Sequence, residues 1–590
     1  MKEIWIFSFE CAGVVKVGGL GEAVYNIAKH LAIRGFNVTL FIPSHGAHKK
    51  SGIKEKLHLQ DSGLTIEGKI KENHFLPYRS PFKYRIGILK GSLDGFNVIL
   101  FCGLDKPSRD ILDETMVYRA DRIEDKALLL ARGTSACIEH LQDLKLPMPD
   151  ILHAHDYHSV PAMILAKQML EDRNWQPASM LTIHLLSNKK VSWNYLGEDW
   201  CGIQNRAHPI HLYGDTVTLS YTQILKKAKL KLEAFAAMEA SVLASVSRTY
   251  LQNEVVKRIG SGCEDKTAFH WNGCDWSWTN LLKETMDRFG EEIRRTLCVK
   301  EIQRRDLRRY FLTTALGNLG PEEPVLEEGR VMEILWKFKR RPFSERGRVE
   351  PFLEDGPMVL MTGRLTRQKG VNVLFKAIPN VLKNIPNAKF VLLMLPLEED
   401  ASLVERFSKL TGKYADSVRI IFGKVPSIYT LAHLCADVFA CPSEWEPFGI
   451  MALEAMATGN PVVATSVGGL KEIVIDARKD VENGTGHLIA KNDHKSLAEA
   501  ITELLAIERI SEMWQKEGKI SEQLKTEMRG HILSEPLREA VAKQPSYGLK
   551  LRENAIRRVE DVFRWAKVID MTINAYQKAS MISRSLIDRR

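Results

Sequence analysis

Short apolar runs alternate along this chain with stretches whose apolar residues recur at three- and four-residue steps. Ile4 to Phe9 reads as a strand buried on both faces. Leu20, Val24, Ile27 and Leu31 follow at helical spacing until Gly35 stops the helix, and Val38 to Ile42 reads as the next strand. This is a βαβ unit. It recurs with Ile151 to His155 as a strand, Val160 to Met169 as a helix, and Met180 to Leu185 and Ser241 to Ser247 as strands. Apolar runs without alternation imply parallel strands covered on both faces, so a doubly wound α/β domain is expected.

A second series begins near Pro357. Met358 to Thr362, Phe390 to Leu395, Val418 to Phe422, Val438 to Cys441 and Val462 to Thr465 read as strands, with helices over Val371 to Leu382 and Ile428 to Cys435. The chain's 590 residues exceed what one core organises. The expected layout is a Rossmann-like domain over 1–265, a linker and charged helical insertion over 266–355, a second Rossmann-like domain over 356–550, and a closing helix within 551–590 that crosses back to the first domain. Ile556, Val559, Phe563 and Ala566 carry that helix's spacing. The insertion contains helical stretches at Leu281 to Thr314 and Val331 to Trp336 and is expected to pack at the periphery.

Composition changes this picture little: 45% hydrophobic and 26% charged residues describe an ordinary globular chain. The net charge of +10 is partly local, with seven Lys/Arg against two Glu between Arg330 and Val349. No aromatic-interleaved basic patch or zinc spacing accompanies it, so no nucleic-acid partner is expected; subunit contact in a homo-oligomer is one use for the basic segment. Nine cysteines without CxxC pairing indicate reduced thiols and a cytoplasmic setting. The first residues enter a strand rather than a leader, and no apolar segment is long enough for a membrane partner.

Candidate chemistry gathers at strand ends. Glu10 to Gly21 follows the first strand, and its Gly18 and Gly19 with Lys16 could let a backbone approach phosphate. His153-Ala154-His155-Asp156-Tyr157-His158 ends another strand; three histidines and an aspartate could ligate a metal or line a sugar pocket. His184 ends a third, either as a site residue or as a satisfied structural histidine. In the second series, Arg364 and Lys369 stand five apart across a turn and can converge on one diphosphate. Ser443 to Glu454 brings Glu444 and Glu446 around Pro447, then Phe448, Gly449, Ile450 and Met451 at a helix start able to hold an anion, with Glu454 beyond. Thr465 to Glu472 offers further glycine backbone at Gly468.

These motifs, in this order, resemble those of glycogen and starch synthases, retaining glycosyltransferases of the GT-B fold. The carriers are Lys16-Val17-Gly18-Gly19-Leu20, His153 to His158 with Tyr157 for the usual Trp, Thr182-Ile183-His184, Gly363-Arg364-Leu365 with Lys369-Gly370, and the Glu446/Glu454 pair. The resemblance covers about 1–260 and 356–495. It implies two Rossmann-like domains facing across a cleft and transfer of glucose from ADP- or UDP-glucose to the non-reducing end of an α-1,4-glucan. In site terms it implies Glu446, Arg364, Lys369 and His184 as catalytic. Lys16, Gly18, Gly19, Phe448, Gly449, Ile450, Met451, Glu454, Thr465 and Gly468 would lie on the donor side, and Glu10, His155 and Asp156 at the acceptor and sugar pocket, with no metal and no cofactor. Two departures stand out. Leu185 replaces the Asn that customarily follows the histidine, and Lys424 occupies the place of a Tyr that packs on adenine. A GT-B enzyme with a small acceptor, of the sucrose-synthase or mannosyltransferase type, and a non-catalytic glucan-binding relative are the alternatives.

Overall fold

The computed structural model describes residues 3–70, 81–326, 329–338, 340–519 and 521–587. They divide into two units, Met1–Gly273 with Trp565–Arg590, and Cys274–Arg564.

The first unit is built on a nine-stranded sheet. Its parallel strands lie in the order Thr267–Phe269, Val242–Ser245, Ala178–Ile183, Ile151–His155, Glu3–Phe7, Asn37–Pro43, Phe96–Gly103, and the antiparallel strands Phe82–Leu93 and Gln60–Ile70 extend the last edge. The pleat sorts side chains between two cores: Trp5 and Phe7 face one layer, Ile4 and Ile6 the other. Ala23, Val24, Ile27 and Leu31 of the helix Gly19–Ile33 cover the second face. Trp565, Val568, Ile569, Ala575, Tyr576 and Ala579 of the last helix, Trp565–Ile587, share that layer.

The second unit carries six parallel strands in the order Val418–Phe422, Lys389–Leu395, Met358–Arg364, Val438–Cys441, Val462–Thr465, Gly486–Ile489. Both parallel sheets reverse their direction of growth once. In the first unit the reversal falls between Glu3–Phe7 and Ile151–His155, in the second between Met358–Arg364 and Val438–Cys441. Such switch points, at the carboxyl ends of the strands, are where open α/β sheets bind ligands.

Three expectations change. The antiparallel strands from Gln60 to Leu93 alternate exposed and buried residues weakly and were not anticipated. The element expected over 551–590 is two helices, Tyr547–Val562 and Trp565–Ile587. Helical spacing runs through Phe563, but its ring is buried beside Phe448 and its carbonyl accepts the amide of Cys274, so tertiary contacts interrupt the helix where the chain changes unit. The charged segment after residue 274 is helical, over Trp278–Leu297, Arg304–Thr313 and Gly329–Lys337, but it is not peripheral. Leu307, Tyr310, Phe311 and Leu312 are buried, and Arg304 and Arg308 reach Asp437 beneath the second sheet at 2.8 and 3.0 Å. Arg552 and Glu508 complete this buried charge cluster, with Arg552 donating to Glu508 at 2.7 Å. Arginines with matching carboxylates fold inward where a sequence alone shows only charge.

Candidate active site

At the switch point of the first unit, the strand Glu3–Phe7 leads to Glu10. Its Oε2 accepts the amides of Val17 and Gly18 at 2.6 and 2.9 Å, and Tyr118 donates to its Oε1 at 2.5 Å. Glu10 is therefore a clamp on the glycine-rich turn. The amide of Gly18, expected to face a phosphate, is turned to this carboxylate because a buried acid must find donors. Lys16 is exposed and pairs with Glu22 at 2.7 Å. An exposed pair of this kind holds a side chain by only about 0–1 kcal/mol, so Lys16 is available to a stronger anion. Gly19 opens the helix that follows.

Across the switch point, Asp156 has φ +59°, a strained value for a non-glycine residue that concentrates at functional sites. Its Oδ1 accepts the amides of His184 and Leu185 at 2.7 and 3.2 Å. Burial lifts its carboxyl to about 8, against the pull of those two amides. The neighbourhood of His184, in question because Leu185 lacks an amide side chain, is thus built from Asp156 below and His155 beside it, whose Nδ1 lies 2.9 Å from Nε2 of His184. His153 is bridged to the hydroxyls of Tyr576 and Thr182, each at 2.8 Å, and Thr182 in turn to His270 at 2.9 Å. His158 packs its ring on Phe9, 4.3 Å between centroids. Burial drives the imidazoles of His153 and His155 far below the usual range, and those of His158 and His184 to about 3. The ring is neutral in each. Among the described residues no group of three or more His, Cys, Asp or Glu side chains is arranged to hold a metal ion.

The second unit's switch point gathers the other motifs. Gly370 has φ +70°, and a Cβ there would stand 2.0 Å from the carbonyl oxygen of Pro442, so only glycine lets the turn after Arg364 lie against the loop 442–449. Gln368 and Glu444 tie the two loops, through Glu444 N to Gln368 O at 2.7 Å and Gln368 Nε2 to Trp445 O at 3.0 Å. Lys369 Nζ then reaches Glu446 Oε2 at 2.6 Å, with Ser443 Oγ 3.3 Å from the same oxygen. Gly468 approaches so closely that a Cβ would lie 1.8 Å from the Glu446 carbonyl oxygen, which also accepts the amide of Gly469 at 3.1 Å. Glu446 is held by both main chain and side chain. Gly449 opens the helix Ile450–Ala457, whose first-turn amides and positive dipole end face the same place, and Met451 Sδ lies 4.0 Å from Lys369 Nζ. Arg364 ends its strand, half-buried.

Not every expected residue points into this site. The ring of Phe448 is buried beside Phe563, and the Thr465 hydroxyl is spent on the Ser443 carbonyl at 2.5 Å. Glu454 accepts from the Tyr429 hydroxyl at 3.0 Å, a partner the sequence did not suggest. Lys424 exchanges backbone hydrogen bonds with Val325 of the charged segment, at 2.8 and 2.9 Å, so that segment lies directly on the end of the strand Val418–Phe422. Sequence reasoning also missed Tyr118, Ser443, His270 and Tyr576. Tyr118, His270 and Tyr576 act through contacts distant in the chain that no local spacing marks, whereas Ser443 stands three residues from Glu446.

The comparisons agree with this geometry. Residues 3–267 match the family model of the starch synthase catalytic domain, and residues 344–521 that of glycosyl transferases group 1. The glycogen synthase of Geotalea daltonii is 22% identical over 530 residues, 88% of this chain and 93% of its own length. That of Kosmotoga olearia is 23% identical over 524 residues, 87% of this chain and 92% of its own. Among solved structures, the catalytic domain of starch synthase IV from Arabidopsis thaliana, bound to ADP and acarbose, has the same fold, with a TM-score of 0.64 at 20% identity over 98% of this chain and 99% of that one. With two doubly wound units, loops of the expected motifs at both switch points and relatives matched over nearly their full length, the chain has the GT-B glycosyltransferase fold and is similar over most of its length to the glycogen and starch synthases.

Proposed function

We propose that this glycosyltransferase moves glucose from ADP- or UDP-glucose to the 4-hydroxyl at the non-reducing end of an α-1,4-glucan, without metal or cofactor. The observation that carries the site assignment is the Lys369–Glu446 pair at 2.6 Å, next to the first turn of Ile450–Ala457 at the switch point of the second sheet, where the strand ending at Arg364 leads into the turn that carries Lys369. The bond from the glucosyl anomeric carbon to the donor's phosphate oxygen breaks, and that oxygen gains charge as it leaves. Arg364, Lys369 and the helix N-terminus are the groups that stabilise this charge, and fixed dipoles and cations need no reorganisation at that moment. Glu446 then serves two neighbours: it keeps Lys369 in place, and its carboxylate faces the positive character developing on the sugar. Glu454 and Tyr429 take the ribose. The new bond forms from the acceptor's 4-oxygen to the anomeric carbon, and its proton passes to the departing phosphate, with attack on the face the leaving group vacates. His184 serves a sugar hydroxyl.

The test is transfer of labelled glucose from each donor to glycogen by Arg364→Ala and Lys369→Ala. Each should lose about a hundredfold or more in kcat. Near-wild-type turnover in both would remove the phosphate assignment. Activity that survives exhaustive chelation is expected, and loss of a stoichiometric metal together with activity would overturn the metal-free reading.

A further inference from the structure

His155 is wholly buried, and of its two ring nitrogens only Nδ1 has a partner, Nε2 of His184 at 2.9 Å; His155 Nε2 faces no donor or acceptor. Its ring lies 4.0 Å from that of His153, which is held at both nitrogens by Tyr576 and Thr182, so His155 cannot turn over to use its other edge without breaking that layer. Between two neutral imidazoles one hydrogen is shared, and which ring donates it fixes the tautomer of both. If His184 donated, the remaining hydrogen of His155 would sit on Nε2, a buried N–H without an acceptor. If His155 donates, only a lone pair is left bare, and the hydrogen of His184 resides on Nδ1. That nitrogen is not among the buried atoms lacking a partner. Orphaned buried N–H groups are the rarer defect, which favours the second arrangement.

We propose that His155 is a positioning residue: by donating its Nδ1–H to Nε2 of His184, it sets the tautomer that leaves His184 with an Nδ1–H for a sugar hydroxyl oxygen. Asp156 completes the device by fixing the backbone of His184 through its amide. The proposal rests on the reading of His184 as a sugar-facing residue, and it makes His155 a residue that touches no substrate yet decides what His184 can offer one.

The experiment compares three replacements. His155→Asn puts an amide N–H where Nδ1–H was, His155→Gln extends it to where Nε2 was, and His155→Leu removes it. The expected result is kcat within about threefold of wild type for the Asn variant and at least about tenfold lower for the Gln and Leu variants, with donor KM little changed. Ring nitrogen resonances of histidine-labelled enzyme, assigned by comparison with His184→Asn, should show His184 protonated at Nδ1 in wild type and in His155→Asn, and redistributed toward Nε2 in His155→Leu. Protonation of His184 at Nε2 in the wild type, or equal loss in the Asn and Leu variants, would overturn the proposal. Full activity in His184→Asn would instead remove the functional half through the reading on which it rests, and the ring measurement distinguishes the two failures.

Discussion

Replacing Asp437 with Asn tests the claim that the charged segment after residue 274 is part of the second unit's core. The Asp437 carboxylate is 1% exposed. It receives the Met358 amide at 2.7 Å, Arg304 at 2.8 Å and Arg308 at 3.0 Å, with Arg552 3.6 Å away. Burial by itself would raise its pKa. The guanidinium of Arg308, with Arg304 and Arg552, outweighs burial and holds the carboxyl down from an ordinary 3.8 to about 2. A depression of that size corresponds to roughly 2 kcal/mol favouring the charged form in the fold. Asn also leaves three guanidiniums, those of Arg308 and Arg552 buried, short of one counter-charge and turns an amide N–H toward them, and removing one partner of a buried ion cluster typically costs about 3–5 kcal/mol. At about 2–4 °C per kcal/mol for units of this size, the second unit should melt roughly 6–20 °C lower. Scanning calorimetry on the full chain at pH 7 reads this, with the transition of the first unit as an internal reference. The sign of the pH dependence follows from the depressed pKa. Stability from the charged form is present above the unfolded value near 4 and is lost as pH falls toward 2, so the gap between wild type and variant should be constant from pH 7 to about 4 and close below it. A shift under about 2 °C, or a gap that widens on acidification, would refute the reasoning.

Other outcomes are equally specific. Gly370→Ala forces a Cβ into the Pro442 carbonyl and an alanine into left-handed backbone; transferase activity should fall at least tenfold while the first unit's melting transition is unchanged, as calorimetry beside the glucosyl-transfer assay would show. Glu10→Ala frees the amides of Val17 and Gly18, so kcat/KM for the donor should drop about tenfold or more with far-ultraviolet circular dichroism unaltered; an unchanged kcat/KM would remove the clamp role. Tyr576→Phe leaves His153 Nδ1 buried without a partner, and denaturant unfolding should register a loss of about 1–3 kcal/mol in the first unit.

The parts of this protein that were legible in its sequence are those governed by local rules. Continuous apolar runs such as Ile4 to Phe7 and Phe390 to Leu395 marked parallel strands, because a strand covered on both faces has no polar side to show. The motifs at strand ends were legible for a related reason: Gly370 and Gly468 are glycine because a carbonyl oxygen occupies the place of a side chain. What stayed hidden depends on partners far away in the chain. Glu10 looked like a pocket acid until the amides of Val17 and Gly18 and the Tyr118 hydroxyl were found on it. Arg304 and Arg308 looked like solvated charge, since nothing near them announces Asp437. The break after Val562 was hidden because helical spacing persists through it, and only the pairing of Phe563 with Cys274 stops the helix.

The placement of the last helix has a consequence for how the molecule comes into being on a ribosome. The first unit is interrupted at Gly273 and resumes at Trp565, so the layer that covers one face of its sheet stays incomplete while the whole of Cys274–Arg564 is made. At about 5–20 residues per second that delay is on the order of tens of seconds, far longer than a helix or hairpin needs to form. Throughout it, Met180, Val242 and Ala244 lack the cover that this helix supplies, and His153 lacks the hydroxyl of Tyr576. The second unit is contiguous, with Cys274 hydrogen-bonded to Phe563 near its other end, and can close on its own first. A chain released early therefore carries a finished second unit beside an unfinished first one, and the order of synthesis makes the histidine cluster the last part of the enzyme to be completed.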